Sequence, residues 1–204
     1  MEPSMNAPRT LLSLAGAPAH PSPFDRAALV IVDAQAEYLP SGHLPLPGVD
    51  AAVAETARLL ELARRSGTPV FHVVHHGPAG GPLFDPQGPG SAIVSALTPR
   101  DGEAVVAKAL PNSFAGTDLH ARIAATGRTE LIVAGFMTHM CVSATVRAAL
   151  DLGYRNTVVA AATATRDLPD MLGGVVPAAE LQRNELAALA DLFAVVVKDS
   201  GAWA

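Results

Sequence analysis

The chain has 204 residues, half of them hydrophobic and 16% charged, with a formal net charge of −5. That length suits one well-buried domain, and the composition is that of a folded core rather than a disordered chain. No Lys/Arg run exceeds the pair Arg64-Arg65, so the clustered basic face that nucleic acid would need is missing.

Residues 1–25 read as a Pro-rich arm lying over a domain formed by 26–204. Within the arm Arg9 precedes a short apolar run, and Ala17-Pro18-Ala19 mimics a signal-peptidase site. The run spans only about six residues before Gly16, short of the ~7–15 of a signal-peptide core. No stretch approaches the ~20 continuous apolar residues that cross a bilayer. The one cysteine, Cys141, has no internal disulfide partner. The expectation is a cytoplasmic protein with no membrane partner.

Within the domain, strand-like and helix-like segments alternate. "ALVIVD" (28–33) is continuous and β-branched, the pattern of a strand buried on both faces. Residues 49–67 carry helically spaced apolar residues and close on Gly67. "TPVFHVVHH" (68–76) is the second strand. It runs into residues 77–90, with five Gly and four Pro, a long loop of the kind that covers active sites. Residues 103–108 form a third strand and 116–127 a helix; 130–135 form a fourth strand and 140–153 a helix. A fifth strand at 156–162, a helix at 177–191 and a sixth strand at 193–198 complete the pattern. This alternation predicts a single-domain, Rossmann-like α/β fold with six parallel strands and helices on both faces.

Ligands of such sheets sit at the carboxyl ends of the strands. Asp33 ends the first strand, Lys108 ends the third, and Cys141 opens the helix after the fourth. A thiol at a helix N-terminus beside an ammonium is expected to have its pKa lowered below the ~8.5 of a free thiol. A neighbouring carboxylate can take its proton and later return it to a leaving group. Each residue has a plainer role to set against this: a core cysteine, a turn-capping aspartate, a solvated strand-end lysine. Their spacing across successive βα units favours the chemical one.

"VIVDAQ" (30–35), "VVAKALPNSF" (105–114) and "VAGFMTHMCVSATVRAALDLGY" (133–154) resemble the isochorismatase-like cysteine hydrolases. The resemblance covers about residues 27–198. It implies Cys141 as nucleophile, Asp33 as general base and then acid, and Lys108 as the cation beside the thiolate. It also implies a cis peptide between Phe136 and Met137, and backbone N–H groups of Met137 and Cys141 that meet a developing oxyanion. Tyr38, Phe114, Phe136 and His139 flank the motifs as candidate pocket walls. Gln35 is expected to anchor a loop rather than touch substrate.

Nicotinamidases of this family carry an Asp-x-His metal element after the second strand. Here that place holds His72, His75 and His76 without it, so no metal and no other cofactor is expected; a metal-assisted, nicotinamidase-like amidase is the alternative. True isochorismatases cleave a vinyl ether and carry another residue where Cys141 stands. A thiol favours attack on the carbonyl of a small amide, carbamoyl compound or lactam through a thioester. A second alternative is a binding or redox-sensing protein, although no resolving cysteine accompanies Cys141. The partners expected are a small-molecule substrate and further copies of the chain, in a dimer or tetramer.

Overall fold

The computed structural model describes residues 7–204, so the first six residues of the expected arm lie outside the described residues. Six parallel strands form one sheet: β1 (Ala27–Val32), β2 (Val70–His75), β3 (Ala104–Lys108), β4 (Glu130–Phe136), β5 (Arg155–Ala164) and β8 (Val195–Val197). Between β5 and β8 lies a two-stranded antiparallel hairpin of β6 (Leu168–Pro169) and β7 (Val175–Val176). The helices are α1 (Leu11–Leu14), α2 (Val49–Arg65), α3 (Leu119–Ala125), α4 (Ser143–Asp151) and α5 (Ala178–Leu192).

The sheet order is β3-β2-β1-β4-β5-β8, so the winding reverses between β1 and β4. β1 and β4 are buried along their whole lengths, as their unbroken apolar runs require of strands covered on both faces. Alternate residues serve opposite layers. Leu29 and Ile31 pack toward the Leu59, Leu60 and Ala63 face of α2. Val30 and Val32 pack with Leu119 and Ile123 of α3, Val146 of α4 and Leu189 of α5. Each such large side chain taken out of water contributes about 1.5–3 kcal/mol.

Helix α2 shows how local chemistry sets the ends. Asp50 sits in its first turn and Arg64 and Arg65 in its last, each sign matched to the helix dipole. Gly67 then turns the chain at φ 65, the left-handed conformation that stops a helix. The arm lies against α5 and β5. The backbone N–H of Leu11 donates to Asp191 Oδ1 of α5, 2.9 Å away, and that of Ser22 to Thr157 Oγ1 of β5, 2.8 Å away. Among the described residues no helix is long and apolar enough to cross a membrane.

Two sequence expectations need correction, and the structure adds one element. The helix expected over 116–127 begins only at Leu119, because Gly116 takes φ 71, which breaks helical winding. The helix expected to open at 140 is preceded by a π-helical turn over Thr138–Val142, with the α-helix starting at Ser143. Hairpin β6–β7 was not anticipated, since two-residue strands carry no readable period.

Candidate active site

Asp33 follows β1 and Cys141 follows β4, so both stand at the reversal point of the sheet, where α/β folds place their ligands. Two backbone features bring them together. Gly135 has φ 111, and a Cβ there would lie 1.9 Å from the carbonyl oxygen of Val32, so only glycine lets the two strand ends approach this closely. Asp33 itself has φ 49, which breaks the alternation of β1 and re-aims its carboxylate from the α2 layer to the Lys108 side. The Phe136–Met137 peptide bond is cis.

Lys108, at the end of β3, completes the group. Its Nζ lies 2.7 Å from Asp33 Oδ2 and donates to Cys141 Sγ at 3.3 Å. All three residues are buried: Asp33 at 0% exposure, Lys108 at 3% and Cys141 at 6%. Neither oxygen of Asp33 receives a donor in good hydrogen-bond alignment, so the contact with Lys108 is chiefly one of charge. That leaves carboxylate lone pairs ready to accept a proton.

The expectation of a lowered thiol pKa is overturned. Burial, and after it the Asp33 carboxylate, push the Cys141 thiol up to about 12, because Lys108 offsets only part of both effects. Burial likewise raises Asp33, against the pull of Lys108. The Cys141 thiol is therefore held in its protonated form, close to the buried Asp33 and Lys108. Each of the two acids shifts the other, so they titrate as a unit.

The expected pocket walls divide. Tyr38 is 2% exposed, and its hydroxyl pKa is raised by burial first and then by the charges of Asp33 and Cys141, so the ring stands beside the group. Phe136 packs edge-on to Tyr38 with centroids 5.7 Å apart. His139 bonds Thr165 Oγ1 through Nδ1, its Nε2 is buried without a partner, and burial and then Arg166 lower its pKa. Phe114 is the correction. It lies in the β3–α3 connection, and its ring stacks on Tyr154 at 6.1 Å and packs against the core.

Gln35 is the loop anchor it was expected to be. It is fully buried, and its Nε2 donates to the carbonyls of His75 and Ser91 while its Oε1 accepts from the His75 N–H. The three histidines do not converge. His72 faces Glu103, Nε2 to Oε2 at 2.9 Å, within a network with Arg64, whereas His75 faces Lys108. Among the described residues no group of three or more His, Cys, Asp or Glu side chains is disposed to hold a metal ion.

Two residues were missed. Phe84, the one aromatic in 77–90, packs between Tyr38 and His75 at 5.2 and 5.1 Å. Arg166 follows β5, acts electrostatically on Tyr38 and His139, and keeps a buried Nε without partner. The strand-end rule that found Asp33 and Lys108 would have found Arg166 as well, had the fifth strand been extended to Ala164.

Comparison with known proteins agrees with this geometry. The isochorismatase domain family model matches residues 27–199. The crystal structure of an isochorismatase from Pseudomonas putida KT2440 superposes with a TM-score of 0.89 at 49% identity, covering 94% of this chain and 97% of that one. The secreted isochorismatase effector Isc1 of Verticillium dahliae is 38% identical over 91% of this chain and 94% of its own. A streptothricin hydrolase of Streptomyces noursei is 37% identical over 83% of this chain but 61% of its own. Amidohydrolases and an amidase stand among further relatives. With a six-stranded fold, a family model spanning nearly the whole domain and relatives this similar, the chain belongs to the isochorismatase family of hydrolases.

Proposed function

We propose that the protein hydrolyses the C–N bond of a small amide-like substrate through a thioester on Cys141. The observation that carries this reading is the convergence of three buried groups, with Lys108 Nζ 2.7 Å from Asp33 Oδ2 and 3.3 Å from Cys141 Sγ. Asp33 takes the thiol proton as the sulfur attacks the carbonyl carbon, and the π electrons move to oxygen. The backbone N–H groups of Met137 and Cys141 receive that oxyanion in this reading. The intermediate collapses, the C–N bond breaks, and Asp33 gives its proton to the departing nitrogen. Water then loses a proton to Asp33 and attacks the thioester carbon. The carboxylic acid leaves, and the proton returns to sulfur.

Lys108 keeps the net charge of the trio balanced whichever of the two acids is ionised, so the proton moves without creating an unpaired buried charge. Tyr38, Phe136 and His139 are the substrate-facing walls, and Phe84 closes the loop side. The thiol favours amide-type carbon over a vinyl ether, and the amidohydrolase names among the relatives point the same way. A screen of small amides and carbamoyl compounds for ammonia release tests this, with Cys141→Ala as the blank. Turnover is expected with at least one amide class and none in the blank. Ammonia release that survives in folded Cys141→Ala would overturn the reading.

A further inference from the structure

Lys108 has three N–H bonds and three acceptors around it. Beyond Asp33 Oδ2 at 2.7 Å and Cys141 Sγ at 3.3 Å, His75 Nδ1 lies 3.4 Å from its Nζ. A lysine ammonium is a compact rotor on a flexible stem, so its neighbours decide where its protons point. The backbone of His75 is held by Gln35 and its ring by Phe84. Its N–H donates to Gln35 Oε1 at 2.8 Å, its carbonyl accepts from Gln35 Nε2 at 2.9 Å, and its ring stands edge-on to Phe84 at 5.1 Å. Burial, then the charges of Lys108 and His76, hold the ring neutral with a pKa of about 4. A neutral ring with its proton on Nε2 presents Nδ1 as an acceptor.

We propose that His75 is a positioning residue for the hydrolysis: its Nδ1 takes one N–H of Lys108 and so keeps another on the Cys141 sulfur, while Asp33 holds the ammonium by charge. The proposal rests on Cys141 being the nucleophile. It gives the histidine at the end of β2 a task other than metal binding, and it makes Gln35 a support of the chemistry as well as of the loop. As the thiol yields its proton to Asp33, the correctly aimed N–H already faces the sulfur that becomes negative, and no reorientation is needed at that moment.

Two substitutions separate an acceptor from a mere filler. In His75→Asn the Oδ1 stands close to where Nδ1 was and still accepts; in His75→Leu a methyl stands there and does not. kcat and KM are measured with an amide found by the ammonia screen. The rate of Cys141 alkylation by iodoacetamide at pH 7 is measured without substrate, and thermal unfolding reports the fold. The leucine variant is expected to lose about 10- to 100-fold in kcat, what one hydrogen bond to a charged group is worth, with KM little changed. Its alkylation slows, and asparagine restores most of both rates. Equal rates in the asparagine and leucine variants, or a change in KM alone, would reduce His75 to a pocket wall and overturn the proposal. Should His75→Leu fail to fold, His75→Ala takes its place against asparagine. Because alkylation needs no substrate, a failed amide screen would sink the hydrolase reading and leave this comparison decisive.

Discussion

At Cys141 the two neighbouring charges pull in opposite directions, so their removal should have opposite effects on the thiol and the same effect on turnover. Lys108 stabilises the thiolate, and Asp33 opposes it. Lys108→Ala is therefore expected to slow alkylation of Cys141 by iodoacetamide at pH 7. Asp33→Asn removes an anion and lowers the thiol pKa from about 12, so its alkylation should quicken. Both variants should lose hydrolysis, the asparagine variant by about 10²- to 10⁴-fold, the usual contribution of a general base. Alkylation moving in the same direction in both would show that the pair is not coupled as described. These residues were legible in the sequence because each ends a strand or follows one closely, and a sheet of this kind gathers such positions at one rim. The direction of the thiol pKa was not legible. Spacing shows which charges are near, but it does not show how completely the walls exclude water, and here burial outweighs the lysine.

The long elements could be read because their apolar runs are continuous on β1 and β4 or helically spaced on α2. The π-helical turn could not, since one extra residue within a turn leaves no mark on the pattern, and Phe114 could not, since an aromatic beside a motif packs wherever space allows. Two elements are joined by a buried network that period and propensity also miss. Arg64 of α2 binds both carboxylate oxygens of Glu103 before β3, at 2.7 and 2.9 Å, and His72 of β2 meets the same carboxylate. Burial would raise the Glu103 carboxyl, but Arg64, the Arg100 N–H and His72 together outweigh it and hold its pKa at about 2, against 4.5 ordinarily. A carboxyl lowered in this way stabilises the fold fully above pH 4.5, and that contribution is lost as the pH falls toward 2. Glu103→Gln should therefore cost about 2 kcal/mol in urea unfolding at pH 7, with the gap from wild type narrowing in acid. A gap that widens in acid would contradict the network. Gly135→Ala should be costlier, about 3 kcal/mol or more, because the new methyl meets the Val32 carbonyl at a φ of 111. Its thermal midpoint compared with wild type measures this.

On the scale of the whole molecule, the apolar surface is uneven. Met171 and Leu172, at the tip of hairpin β6–β7, are fully exposed, and Val175 is largely so. Large apolar side chains grouped on an exposed tip mark a contact surface, and α5, which follows the hairpin, buries only Ala178 and Leu189 of its own residues. We propose that copies of the chain associate, with a two-fold dimer as the simplest closed arrangement. Light scattering at micromolar concentration is expected to return at least twice the 20.9 kDa of one chain, and Met171→Asp with Leu172→Asp should lower that mass. A mass of one chain in the wild type would overturn association.

Gln35 gives the molecule a further property, the ease with which its repertoire could be altered. Residues 91–94 are stitched to 34–36: the Ala36 N–H donates to the Ala92 carbonyl at 2.8 Å, the Val94 N–H to that of Ala34 at 2.9 Å, and Gln35 itself to Ser91 at 2.9 Å. The intervening span 78–88, which carries Phe84 to the site, is thus a cassette held at fixed ends. Apart from the buried Phe84, its side chains can be exchanged while Asp33, Lys108 and Cys141 keep their positions. A library randomised over 78–83 and 85–88, with Phe84 and 89–94 left intact, should yield folded variants with altered amide preference, whereas the same diversity spread over 89–94 should yield unfolded ones. Selection for new substrates would proceed by the same route.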